Sequence, residues 1–143
     1  MRRLMLLLVA LGLLAAGCGG DSGVSVEEPW ARSSPGMANA GAVYMDLSSP
    51  DGDRLMGAAV DVSIAGATEI HETAMTDGAM MMREVGEIDL PAGSTIALEP
   101  GSYHIMLLDI ASSLEVGQTF DITLTFQNAG EKVVEVKVRE EAP

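Results

Sequence analysis

Beyond residue 17, no stretch of this chain repeats apolar residues at i, i+3, i+4 and i+7 over three turns, and Gly, Pro, Ser and Thr interrupt it throughout. That removes the amphipathic helix as a building block. What recurs instead is short β-rich runs at roughly ten-residue spacing with turn chemistry between them, the pattern of an all-β sandwich or barrel. The predicted strands are Val24–Ala31, Gly41–Leu47, Ala58–Ser63, Ala67–His71, Met80–Val85, Ser94–Leu98, Ser102–Ile110, Thr119–Phe126 and Lys132–Val138. Breakers separate them, among them Ser49-Pro50-Asp51-Gly52, Asp77-Gly78, Pro91-Ala92-Gly93 and Glu99-Pro100-Gly101. The last two strands alternate most clearly. Phe120, Ile122, Leu124 and Phe126 oppose Thr119, Asp121, Thr123 and Thr125, and Val136 and Val138 alternate with Glu135, Lys137 and Arg139. Ala129-Gly130 lies between them, which predicts a hairpin. With no internal repeat, a single Greek-key sandwich over residues 24–139 is the simplest architecture, followed by a short acidic tail at 140–143.

The N-terminal segment reads as an address rather than as fold. Arg2 and Arg3 precede an apolar run, Leu4 to Leu14, too short to span a bilayer. Leu14-Ala15-Ala16-Gly17-Cys18 then resembles a bacterial lipobox, with Ala15 where Leu or Val is usual. This predicts a signal peptide at 1–17, acylation of Cys18, and a flexible tether over 18–23. The alternative is an ordinary signal peptide with an incidental cysteine. Cys18 is the only cysteine, so once it is lipidated the domain holds no thiol and no disulfide. Two of the eight basic residues and none of the 21 acidic ones fall within 1–17. The remainder is strongly acidic, which argues against nucleic acid and anionic lipid as partners of the folded surface.

The chain has two histidines. His104 and Met106 stand two apart in an apolar run read as strand, so imidazole and thioether emerge side by side. His71, in Thr68-Glu69-Ile70-His71-Glu72, is followed by Met75 and by Met80-Met81-Met82. Neutral imidazole plus thioether is a soft donor set, suited to Cu(I) and poorly suited to Mg²⁺ or Ca²⁺. Lacking a thiolate, it cannot form a blue-copper electron-transfer centre. Imidazole binds metal as the neutral ring, so affinity should fall as pH drops below about 6.5. Each methionine also has a packing reading, since Met is a common gap-filler of cores. Alternation allows Met80 and Met82, but not Met81, to share one face.

The spacing of His71, Met82, His104 and Met106 is similar to that of the periplasmic copper chaperones called PCu(A)C. Flanking segments resemble that family too: Pro29-Trp30-Ala31-Arg32, Gly41-Ala42-Val43-Tyr44-Met45, Leu90-Pro91-Ala92-Gly93 and Pro100-Gly101-Ser102-Tyr103. The resemblance covers roughly Val24 to Val138. It implies a cupredoxin-like Greek-key β-barrel or sandwich binding one Cu(I) through His71, Met82, His104 and Met106. It further implies an extracytoplasmic role in carrying copper to the CuA centre of cytochrome c oxidase, alongside a Sco-like partner. Some members have Met directly after the first His, where this chain has Glu72, so no ligand is expected there; some end in a His- and Met-rich tail, and with Arg139-Glu140-Glu141-Ala142-Pro143 at that place no such second site is expected.

The sequence also admits two other readings: a copper buffer with no specific recipient, and a non-metal module whose methionines form a contact patch. An enzyme is not expected. No cysteine nucleophile remains, no phosphate-binding loop is present, and both histidines are taken up by the metal reading.

Overall fold

Alternation of side chains about the β-backbone builds this molecule. The structure, a computed structural model, describes residues 23–34, 36 and 39–140. The expected signal peptide and Cys18 lie outside the described residues. Ten strands follow in order: β1 (Ser25–Arg32), β2 (Ala40–Ser49), β3 (Asp53–Val60), β4 (Ala65–Thr76), β5 (Ala79–Glu84), β6 (Ile88–Leu90), β7 (Ser94–Leu98), β8 (Tyr103–Ile110), β9 (Thr119–Phe126) and β10 (Gly130–Arg139). They form one sheet in the order β5-β4-β8-β7-β2-β1-β10-β9-β3-β6. The all-β expectation stands, and the predicted hairpin is β9–β10, with Phe126 opposite Gly130.

β2 organises the half of the sheet that matters for function. Its first residues pair with β8 (Val43 opposite Ile105) and its last with β7 (Leu47 opposite Ile96). β8 therefore resumes along β2 where β7 leaves off, with residues 99–102 looped out between them. The ladder ends at β5 and β6 without closing. The sheet instead rolls over itself, so that β3 lies against β4, where the Thr68 hydroxyl donates to the Ala58 carbonyl. Val43, Leu47, Leu55, Ile105, Leu107, Ile122, Leu124, Val136 and Val138 are wholly buried inside the roll.

One predicted strand is shifted, one strand is added, and one alternative reading falls away. The third strand runs over Asp53–Val60 rather than 58–63. Asp53 anchors its start by accepting from the backbone amides of Asn128 and Ala129, each at 2.9 Å, and Asp61 ends it by turning the chain, accepting from Ser63 N at 2.9 Å. β6 was not foreseen because three residues are too few to show a period, yet Ile88 and Leu90 are buried. Finally, Met80, Met81 and Met82 are not core packing: they are 65, 55 and 59 % exposed on an edge strand exposed along its whole length.

Candidate metal centre

Strand register assembles the site. β4 and β8 pair antiparallel with His71 directly opposite His104 and Glu69 opposite Met106. β5 sets Met82 opposite Thr73, and β2 sets Ala42 opposite Met106. Because successive side chains alternate, the intervening residues Val43, Ile105 and Ile70 form a buried row on the other face. The same backbone that fixes the core thus projects the polar and sulfur-bearing residues away from it.

Met82, His104 and Met106 line one cavity of about 360 Å³, together with Tyr44, Ala42 and Arg32. The space exists because Ala42 is too small to fill the position beside Met106, and the looped-out Pro100-Gly101 forms part of the wall. His71 is not among the lining residues; it stands beside His104, with ring centroids 5.8 Å apart. His104 is buried, with Tyr44 next to it at 6.3 Å and Trp30 stacked on Tyr44 at 4.7 Å. Trp30 is buried in the core.

Hydrogen bonds fix which nitrogen of each ring keeps a lone pair. His104 Nδ1 lies 3.1 Å from the Ser102 carbonyl, which can only accept, so Nδ1 carries the proton and Nε2 is the free donor. His71 Nε2 lies 2.8 Å from the Glu69 carboxylate, which leaves Nδ1 bare. Among the described residues, His71 Nδ1 is the buried side-chain nitrogen or oxygen with no hydrogen-bond partner. Buried polar atoms are nearly always paired, and a ring whose second nitrogen is held by a carboxylate is the usual state of a metal-binding histidine. The donor set therefore fits a soft cation. No group of three or more His, Cys, Asp or Glu converges among the described residues, so sulfur from methionine has to complete any such site.

Sequence reasoning missed Glu69, Tyr44, Thr73 and Arg32 as neighbours of the site. Glu69 was detectable, being two residues before His71 and hence on its face of the strand. Tyr44 and Arg32 come from distant strands and carry no local signal. Burial raises the Tyr44 phenol above its ordinary value, partly offset by Arg32.

Burial lowers the His104 imidazole below its ordinary 6.5; the Ser102 carbonyl opposes this, and nearby His71 reinforces it. The ring therefore stays neutral to a lower pH in the folded chain than in the unfolded one. Between those two values the unfolded state binds the extra proton, so stability rises with pH. The metal-free protein should hold this contribution above pH 6.5 and lose it as pH falls through the lower folded value. Thermal melts from pH 7.5 to 5 check this: His104→Gln should flatten the profile, and an identical profile would refute the assignment.

The family described as "Putative lipoprotein LpqE-like" matches residues 24–138. The chain belongs to the LpqE-like family. A relative, "Putative lipoprotein Lxx21020" of Leifsonia xyli subsp. xyli (strain CTCB07), is 32 % identical to this LpqE-like chain over 120 residues, covering 82 % of this chain and 70 % of that one. Solved structures align over most of this LpqE-like chain as well. The "Copper-bound PCuAC domain from PmoF2" is 28 % identical with a TM-score of 0.67, covering 85 % of this chain and 94 % of that one. The solution structure of "CuI-DR1885" from Deinococcus radiodurans is 27 % identical with a TM-score of 0.61, covering 89 % and 87 %. The LpqE-like domain shares the cupredoxin-like all-β architecture of these proteins, with its own ladder left open.

Proposed function

We propose that this protein is a Cu(I) metallochaperone that holds one ion between His71, Met82, His104 and Met106. The observation that carries this reading is the convergence of two thioethers and the His104 imidazole on one cavity, beside a second imidazole whose buried Nδ1 has no partner. Likeness to solved PCuAC domains, one copper-bound, supports the choice of metal. Cu(I) is d¹⁰ and accepts two to four soft neutral donors without imposing a geometry. Met106 and the two imidazoles form the held side of the centre. Met82, 59 % exposed on an edge strand, forms the open side. An incoming acceptor ligand can replace Met82 before the less exposed donors release, which suits transfer more than storage.

The finer reading is that Cys18 is acylated and tethers the 24–139 domain to the outer face of the bacterial membrane. From there it passes copper to the CuA-bearing subunit of cytochrome c oxidase or to a Sco-like protein. The Leifsonia relative and the LpqE-like family, both described as putative lipoproteins, support the anchor. Anaerobic titration with Cu(I) against a competing chromophoric chelator tests the site, and one tight equivalent is expected. Mixing the loaded protein with an apo CuA domain or Sco-like protein tests delivery, and copper should move to the acceptor. No competitive binding would overturn the chaperone reading; binding without transfer to either acceptor would leave copper buffering as the function.

A further inference from the structure

The β4–β5 hairpin exposes more sulfur than the centre behind it uses. Met75 and Met80 are 67 and 65 % exposed, and the register sets them directly opposite each other. By alternation they share the face of His71, Thr73 and Met82, whereas Met81 lies on the other face. Packing does not account for them, since large apolar side chains stabilise a fold by leaving water and these remain in it.

The tip that carries the pair is geometrically fixed. Asp77 and Gly78 both have positive φ, 51° and 82°, the signature of a two-residue type I′ turn. Directly opposed residues of an antiparallel pair hold their Cβ atoms about 5 Å apart, so two methionine side chains can bring both sulfurs onto one ion. The terminal methyl of Met80 lies 4.0 Å from where a Cβ on Gly101 would stand, and Gly101 lines the cavity of the centre. Two residues of strand, about 7 Å, separate Met80 from Met82.

We propose that Met75 and Met80 form a second, weaker Cu(I) subsite at the hairpin tip, from which the ion enters the deeper centre. The subsite rests on the reading of that centre given above and adds its entry point. Two neutral thioethers suffice for Cu(I), and the absence of imidazole makes the pair weaker than the four-donor set. Passage inward is ligand exchange with no change of oxidation or protonation: the Met75 sulfur–copper bond breaks as the Met82 sulfur–copper bond forms while Met80 holds the ion, and the Met80 bond then breaks as Met106 and the imidazoles bind. Met81, 55 % exposed but on the opposite face, is an internal control.

The test follows methionine methyl signals by NMR on the full chain in detergent, with the Cys18 sulfur blocked by alkylation, titrated first with Ag(I), a redox-inert d¹⁰ probe, and then anaerobically with Cu(I). The first equivalent should shift Met82 and Met106, and the second should shift Met75 and Met80 while Met81 stays still. Met75→Leu/Met80→Leu should lower the saturating stoichiometry from two to one, leave affinity for the first equivalent unchanged, and slow loading. Met75 and Met80 signals that do not move while Met82 and Met106 do would overturn the subsite, as would an equal response of Met81. Shifts at Met75 and Met80 without any at Met82 and Met106 would instead overturn the centre, and with it the entry role.

Discussion

A chain carrying Met82→Leu and Met106→Leu is expected to lose tight Cu(I) binding while melting within a few degrees of the parent. Leucine nearly conserves the volume of methionine, and swaps of this kind cost less than about 1.5 kcal/mol even in cores. Met82 is 59 % exposed and Met106 half-buried, so the cost here should sit at the low end. What disappears is both sulfurs. Loss of an outer partner of a metal ligand weakens affinity by about 10–100-fold, so loss of two direct donors should exceed about 100-fold. The competitive titration described above reads this directly, with thermal melts of the metal-free proteins beside it. Undiminished affinity would place copper on the two histidines alone, or elsewhere. A collapse of stability would return Met106 to the role of packing residue.

That dissociation reflects how the site could be read before its geometry was known. His104 and Met106 were legible from a two-residue spacing because a strand fixes the relation of i to i+2 whatever the rest of the fold does. His71 and Met82 were not legible that way. Their relation to His104 depends on the β4–β8 and β4–β5 registers, which are tertiary facts; His71 stood out as one of two histidines, but only the resemblance to a family picked Met82 from the triplet and joined the four residues in one site. Strand edges were legible where alternation was strong, as in β9, and not where anchoring side chains set them, as Asp53 and Asp61 do for β3. The exposure of Met80, Met81 and Met82 ran against what composition suggests. A triplet of apolar residues reads as core until the strand that carries it is found at the edge of the sheet, with one neighbour and no covering layer. Glu69 falls on the His71 face by strand alternation, but its role follows only from which way the His71 ring turns.

The reverse dissociation is expected of Ile105→Ala. Ile105 lies between His104 and Met106 but points the other way, wholly buried, with Val43 opposite it on β2 and Ile70 opposite it on β4. Truncating a buried isoleucine to alanine costs about 2–5 kcal/mol, through lost transfer free energy and the cavity left behind. Domains are stable by only about 5–15 kcal/mol, so the loss is a large share of the whole. For a domain of this size it should lower the melting temperature by roughly 10 °C or more. Affinity of the folded fraction for Cu(I) should change little, because the donors stay on the same strands in the same register. Copper should therefore restore much of the lost stability: a ligand at 1,000 times its dissociation constant adds about 4 kcal/mol to the folded state. Melts with and without a saturating equivalent separate the two variants. The Ile105→Ala chain should regain its melting temperature on loading, while the Met82→Leu/Met106→Leu chain should gain almost nothing. If copper fails to rescue Ile105→Ala although the parent binds it tightly, the core row and the donor row are not independent faces of one strand. The centre would then draw its geometry from packing at Ile105 as much as from register.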